Sequence, residues 1–470
     1  MSSYTISTTF DKNRMFVLQK GEINKRLDPF FYSPLNKLAI LENTKLPKKK
    51  LSEVAELKRG KFSHRPRNDE RFFGGKYPFI QTGEIVKASN NFGKIEFSQT
   101  LNDLGLSVSK LFDEEVLLIT IAANIGDTAI LDYPACFPDS IVAISSKDKN
   151  VSLKYLNVYF KFLKKYLENL APSAAQKNLT LEQLAPTPVI LPTLANQDTI
   201  VQIFDNYNLQ KQTCEAEAEM LLASIDDYLL KELGITLPTP LENTLKDRMF
   251  VSTIKSISGN RLDPFYHQVK FTETIQSIRK SKYKKDLIQH LIVDLKNGIE
   301  VREYFEVGTR YLRVTDLTKN GINNKSPKFI ASNNEIPDRI KLNTNCILVS
   351  RSGSLGLVNI VNDETINSIL SSHIFKLELN TELVLPIYME AFLRSKIGQI
   401  QIFRNNNGGV IPEINQDALK SIIVAVPPLD KQKEIANHIT DIRQQAQQLK
   451  DKTKELLKTA SEEIEKILLT

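Results

Sequence analysis

Apolar positions along this chain follow two rhythms. Short apolar or alternating runs at 117–121, 141–144, 347–350 and 422–426 lie between clusters of Gly, Asn, Asp and Pro, a pattern that predicts strands and turns. Amphipathic stretches at 153–170 and 385–403 predict helices within the same globules. Two longer segments keep a mostly alternating four-three spacing instead. One runs through Ile435, Ile439, Ile442, Ala446, Leu449, Thr453, Leu456, Ala460, Ile464 and Ile467, and the other through Ile200, Phe204, Tyr207, Lys211, Cys214, Ala218, Leu221 and Ile225. That spacing is a coiled-coil seam, and Lys211 within it is expected to set helix register rather than bind a ligand. A proline closely precedes each helix, and Gly234 with Pro238 and Pro240 stops the first.

The two seams share one register: each residue from Ile200 to Ile225 lies 235 positions before its counterpart from Ile435 to Ala460. A period near 235 runs through the rest of the chain. Arg14-Met15-Phe16-Val17 recurs as Arg248-Met249-Phe250-Val251, and Arg26-Leu27-Asp28-Pro29-Phe30 recurs as Arg261-Leu262-Asp263-Pro264-Phe265. Leu57-Lys58-Arg59-Gly60 answers Leu295-Lys296-Asn297-Gly298, Ile125-Gly126 answers Leu355-Gly356, and Pro192-Thr193-Leu194-Ala195-Asn196-Gln197 answers Pro427-Pro428-Leu429-Asp430-Lys431-Gln432. The chain is two copies of one plan. The expected division is a globule over 1–194, a helix over 195–235, a second globule over 236–428 and a second helix over 429–470. The expected fold class is α/β or α+β, duplicated, with two long coiled-coil helices. A helix of about 40 residues is roughly 60 Å long. To bury its seam the second helix has to run back along the first, so an antiparallel pair with pseudo-two-fold symmetry and a globule at each end is expected.

Composition narrows the function classes. At 470 residues, with 41% hydrophobic and 25% charged positions, the chain is long enough for two or three cores and is not a disordered sequence. Its longest apolar run, 116–123 interrupted by Thr120, is far short of the ~18 residues of a membrane span. The start MSSYTISTTFDKNRMF lacks a basic segment followed by an apolar core, so a cytoplasmic protein without membrane association is expected. Cys136, Cys214 and Cys346 lie far apart and share no close spacing with the five histidines, which argues against disulfides and zinc sites. The formal charge is +7, but residues 198–232 carry eight acids against Lys211 and Lys231, a net of −6, and 430–470 are neutral. The remainder therefore holds +13, a distribution that suits two polyanion-binding globules joined by an acidic rod. Phosphate-loop, dinucleotide, H-E-x-x-H and amino-methyltransferase signatures are all absent, so no catalytic residue is expected.

Several strings also carry a resemblance. Leu51-Ser52-Glu53-Val54-Ala55-Glu56-Leu57 with Gly60, Pro78-Phe79-Ile80-Gln81-Thr82-Gly83-Glu84-Ile85, Ile347-Leu348-Val349-Ser350-Arg351-Ser352-Gly353-Ser354-Leu355-Gly356, and Pro427-Pro428-Leu429 followed by Gln432, Lys433 and Ile435 are similar to the DNA-specificity subunit of type I restriction–modification systems. The first copy departs at Thr193, which replaces the second proline, and at Ala122-Ala123-Asn124, where the second copy has Ser352-Gly353-Ser354. The resemblance implies two target-recognition domains, two spacer helices, and assembly on double-stranded DNA with two methyltransferase and two restriction subunits. S-adenosylmethionine, ATP and Mg would then belong to those partners, with no cofactor or metal in this chain. The framework strings repeat while the polypeptide between them, 61–77 against 299–311, does not. An asymmetric, two-part target with an unread spacer is expected.

Candidate contacts follow from residue chemistry, since Arg and Lys suit phosphates and guanine edges and amides suit base edges. Lys58, Arg59, Lys61, His64, Arg65 and Arg67 form a basic run broken by Gly60 and Pro66, either a DNA contact or a solvated loop. Gln81 and Thr82, with the matching Arg313 and Thr315 and then Lys319 and Asn320, lie where a hairpin offers polar groups. Arg351, Ser352 and Ser354 follow a buried strand and serve either base reading or packing. The polar loops holding Gln176, Lys177 and Asn178, and Arg404 and Asn406, are either groove-entering or connecting. Three other readings stand beside this one: the specificity subunit of a related, type II-like modification system, a coiled-coil scaffold without DNA, and a single-chain enzyme, which the absent motifs disfavour.

Overall fold

The computed structural model describes residues 17–18, 39–171, 178–239, 244, 249–251, 253–254, 261–319, 321–331, 340–407 and 409–470. They fall into two compact units, one containing the described residues up to Ala216 together with Leu449–Thr470, the other Glu217–Gln448. In the first unit Ala55–Arg59, Ile141–Ser146, Val116–Thr120 and Thr128–Leu131 form an antiparallel sheet in that order. Successive side chains of a strand point to opposite faces, and here both faces are covered. Leu117, Ile119, Val142 and Ile144 pack on Tyr155, Leu156, Tyr159 and Phe160 of the Leu153–Leu170 helix, while Val116, Leu118, Ile141 and Ala143 pack on Ile80, Ile85, Phe112 and Phe137. This two-sided burial is why the sequence at 116–119 is continuously apolar rather than alternating. Each buried Val, Leu, Ile or Phe side chain among them contributes about 1.5–3 kcal/mol.

A smaller sheet, ordered Gln99–Leu101, Phe73–Phe79, Ala135–Cys136, Leu111–Phe112, lies in the same unit, with Phe73–Phe79 and Ala135–Cys136 parallel. Lys48–Lys50 pairs with Pro188–Ile190 beside the start of the long helix. The second unit repeats the larger sheet strand for strand and the smaller one with three strands in place of four. Ile292–Asn297, Ile374–Leu379, Cys346–Ser350 and Val358–Ile360 form the larger sheet. Lys328–Ile330, Thr309–Leu312 and Ile369–Leu370 form the smaller, again with one parallel pair, and Lys284–Leu287 pairs with Ile423–Val426. The sequence duplication is therefore a duplication of fold. The copies of its first two motifs at 14–16 and 26–30 lie outside the described residues. In the second copy Asp263 caps the Pro264–His267 turn by accepting from the Tyr266 N–H, 3.0 Å.

The seams form helices Leu194–Leu233 and Leu429–Leu469, and every seam residue is buried or half-buried. Within each unit the two helices run antiparallel. In the first, Tyr207 donates to Glu463 (2.9 Å) and Ile200 shares a core with Ile464 and Leu468; in the second, Lys431 pairs with Glu232 (2.6 Å) and Tyr228 packs on His438. Each helix is fastened to its preceding globule by a fully buried glutamine. Gln197 Nε2 donates to Asn150 O (2.7 Å) and Pro192 O (3.0 Å), and its Oε1 accepts from the Ser152 N–H (3.0 Å). Gln432 does the same with Leu383 O (2.9 Å), Pro427 O (2.8 Å) and the Leu385 N–H (2.9 Å). The Pro-Leu-x-x-Gln string is thus a clamp made through main-chain atoms. Buried tyrosines repeat the device, Tyr155 donating to Ile190 O and Tyr388 to Ala425 O.

One local expectation is modified. The single helix expected at 385–403 is broken into Pro386–Arg394 and Lys396–Arg404, because Ser395 is extended and Gly398 packs flat on the backbone of Phe392 and Leu393, where a Cβ would lie 2.3 Å from Phe392 O. The turns at 120–126 and 350–356 differ in sequence yet share one backbone. The Gly126 and Gly356 N–H groups donate to Thr120 O and Ser350 O, and the Asp127 and Leu357 N–H groups donate to the hydroxyls of the same two residues. Ala123 takes a left-handed φ of 62° where Gly353 has 78°. An L-residue there is strained by roughly 1–2 kcal/mol. Ala123→Gly is expected to stabilise the first unit by about 1 kcal/mol and Gly353→Ala, whose Cβ would meet nothing within 4 Å, to destabilise the second by a similar amount. Chemical denaturation of the two variants checks both signs.

Among the described residues no helix is long and apolar enough to cross a membrane, and no group of His, Cys, Asp and Glu is placed to hold a metal. Cys136, Cys214 and Cys346 are buried free thiols.

Candidate nucleic-acid interface

The basic run leaves the edge strand Ala55–Arg59 and is held against its unit rather than dangling. Buried Phe62 anchors it in a cluster with Phe72, Phe73 and Phe79, the Ser63 N–H donates to Val108 O (3.0 Å), and Ser109 Oγ donates to Lys61 O (2.7 Å). Asp139, in the turn before Ile141–Ser146, gathers the arginines. Arg67 is ion-paired to it, Arg65 lies 3.8 Å away, and Arg59 Nε donates to its carbonyl. Lys58 sits between Glu56 (2.9 Å) and Glu114 (3.8 Å), and Glu56 raises its pKa. His64 stacks on Phe72 and pairs with Asp69 (3.0 Å), whose carboxyl is held well below the usual carboxylate range by Arg71 and then His64. Lys61 is exposed. The structure gathers Arg59, Arg65 and Arg67 around one residue, Asp139, the first at its carbonyl and the other two at its carboxylate, a preorganised cationic surface whose exposed edges can meet phosphate oxygens. Asp139 is the member the sequence did not reveal, because it is 72 residues from Arg67.

Gln81 and Thr82 open the Thr82–Asn91 helix, with Gln81 at its N-cap. The Gln81 N–H donates to Glu84 Oε2 (2.7 Å), and its side-chain Nε2 donates to Gln99 Oε1 on the neighbouring strand. Arg313 takes the same place in the second unit. Its N–H donates to Asp316 Oδ2 (2.8 Å), and its guanidinium binds the same carboxylate through Nε (3.1 Å) and Nη2 (2.7 Å), which raises its pKa. Thr315 is exposed beside it. Arg310 donates to Asn324, which donates to Glu364 (2.7 Å). Gln99, Arg310 and Asn324 escaped the sequence reading; only strand pairing places them. Lys319 lines a cavity of about 390 Å³ with Leu357, Gln399 and Phe403, and its carbonyl accepts from Arg394.

The loops at 351–354 and 404–406, expected as separate sites, meet in one cluster. Arg351 forms an ion pair with Glu413 and lies over the Phe375 ring, 5.6 Å from its centroid. Ser352 bridges to Glu413, whose N–H donates to Asn406 Oδ1 (2.8 Å), and Ser354 O accepts from Ser350 Oγ. In the first unit the place of Arg351 is taken by buried Ile121, and Asn178 bridges Ala122 as Glu413 bridges Ser352. Arg404 lies 3.7 Å over the Tyr266 ring and donates to Tyr266 O (3.1 Å), and burial lowers its pKa. Arg351 and Arg404 are thus occupied within their own framework. Gln176, Lys177 and Asn320 lie outside the described residues.

Comparison with known proteins gives this geometry a family. The family model described as the type I restriction modification DNA specificity domain matches twice, at 43–220 and 292–459. The chain belongs to this family. One match lies in each copy of the repeat. Among members, the type I restriction enzyme EcoBI specificity subunit of Escherichia coli is 20% identical over 335 residues, 70% of this chain and 66% of that protein. The putative type I restriction enzyme MjaX specificity subunit of Methanocaldococcus jannaschii is 27% identical over 113 residues, 23% of this chain and 27% of that protein. The chain thus spans just under two thirds of the first relative's length. A solved chain described under the structural basis of complex assembly and conformational transition of the type I R-M system shares the fold, with TM-score 0.53 at 15% identity, covering 90% of this chain and 97% of that one.

Proposed function

We propose that this chain is the DNA-specificity subunit of a type I restriction–modification complex, reading an asymmetric two-part duplex sequence with one half assigned to each unit. One observation carries the reading. The two units share the topology of the larger sheet, the turn backbone and the glutamine clamps, yet carry different side chains at equivalent positions, as exposed Gln81 against half-exposed Arg313 shows. Identical scaffolds with different side chains suit recognition of two different half-sites by one chemistry. The chain contributes base recognition and phosphate contacts and performs no bond-making step. Two methyltransferase subunits carrying S-adenosylmethionine, and two restriction subunits using ATP and Mg, would act on the duplex it selects. Membership of the family and the duplicated fold support this assembly, since two like units offer two like docking positions. Native mass measurement of the complex that copurifies with the chain is expected to give two methyltransferase subunits per chain, and the DNA methylated in its presence should show a two-part motif. A stable one-to-one assembly that methylates both strands would overturn the symmetric model, and methyl transfer by the isolated chain would overturn the non-catalytic assignment.

A further inference from the structure

Both units build the same junction where the central strand of the small sheet ends. Phe79 is paired with Gln99, and Tyr311 with Lys328, in the corresponding antiparallel ladders. Two residues after Phe79 and Tyr311 stand Gln81 and Arg313, each with its N–H tied to a carboxylate three residues on, Glu84 or Asp316. The backbone is therefore equivalent, and so are the two side chains it presents. In the first unit the pair is Gln81 with Gln99, both exposed and joined by one amide hydrogen bond; in the second it is Arg313 with Lys328, both half-exposed. Lys328 Nζ lies over the Tyr304 ring and Arg313 is braced by Asp316, so each cation is held in place.

The chemistry of the pairs differs in a way that matters for base edges. The bond between the glutamines uses one donor of Gln81 and one acceptor of Gln99, leaving Gln81 Oε1 to accept and Gln99 Nε2 to donate. An acceptor beside a donor complements the N6 amino group and N7 of adenine in the major groove. Arg313 holds Asp316 through Nε and Nη2 and Ser326 O through Nη2 (3.2 Å), which leaves Nη1 together with the Lys328 ammonium; these groups offer donors alone, which complements O6 and N7 of guanine. We infer that these equivalent pairs are specificity-determining residues, and that Gln81 with Gln99 reads an A·T pair at the position in the first half-site where Arg313 with Lys328 reads a G·C pair in the second. The inference rests on the DNA-specificity reading above and adds to it the bases and the side chains.

Selection of duplexes from a randomised oligonucleotide library by the full-length chain at low salt tests it, using the wild type, the double variant Gln81→Arg with Gln99→Lys, and the reciprocal Arg313→Gln with Lys328→Gln. The first variant is expected to convert one A·T position of one half-site to G·C, with a preference change of roughly 10- to 100-fold, and to leave the other half alone. The reciprocal variant should convert one G·C position of the other half-site to A·T. A wild-type motif that neither variant alters, or that either alters in both halves, overturns the inference while the DNA-specificity reading survives. A wild-type chain that enriches no sequence overturns that reading and the inference with it.

Discussion

Exchanging residues 1–194 for the equivalent segment of another member of the family is expected, on the proposed function, to replace one half of the recognised sequence and leave the other unchanged. The expectation has a mechanical basis. The start of the first long helix holds its globule through Gln197, whose partners are the carbonyls of Asn150 and Pro192 and the N–H of Ser152. These are backbone atoms, so any globule with the same fold can be grasped whatever its side chains. Thr44 Oγ1 likewise binds a backbone atom, the carbonyl of Leu468. The second unit keeps its own clamp on Leu383, Leu385 and Pro427 and its own polar surface, so its half-site has no reason to change. Sequencing of methylated positions in DNA exposed to the hybrid complex reads the outcome. If both halves change together, independent reading units are the wrong model.

Gln197→Ala and Gln432→Ala are each expected to cost about 3 kcal/mol of stability in the unit concerned. Each removes three hydrogen bonds from a fully buried site and leaves two carbonyls and one N–H without partners. A buried hydrogen bond contributes about 1 kcal/mol net, and an orphaned buried partner costs about 1–3 kcal/mol, so the loss falls in the range of a severe core mutation. The two substitutions lie in different units and share no partner, so their effects should add within about 0.5 kcal/mol. Denaturant titration measures the loss, and hydrogen exchange at the Ser152 and Leu385 amides localises it. A loss below about 1 kcal/mol would mean that water takes over the amide's bonds and that the clamp is dispensable.

Much of this architecture was legible in advance because it is written in local periodicity. The four-three seams from Ile200 and Ile435 could form only long helices with one apolar stripe, and burial in the structure follows the stripe residue by residue. The repeat was equally legible, since identical strings in register need a shared backbone to explain them. The 385–403 helix was read as continuous because its apolar pattern is continuous; its break at Ser395 depends on how closely two turns approach at Gly398, a tertiary distance. The Ala122-Ala123-Asn124 departure is one of sequence only, because the hydroxyls of Thr120 and Ser350 hold both turns in one conformation.

Sequence alone therefore determined the duplication, the long helices, their seams and the residue types that can touch a polyanion, because each depends on neighbours within a few turns of chain or on repetition along it. Tertiary structure alone decided which of those residues act together. Asp139 beside Arg67, Gln99 beside Gln81, and Glu413 between Arg351 and Asn406 are separated by 72, 18, 62 and 7 positions, and no periodic pattern links them. Strand pairing and loop packing bring them within hydrogen-bond distance, and that proximity divides the cations into those bound within the framework and those presented at its surface.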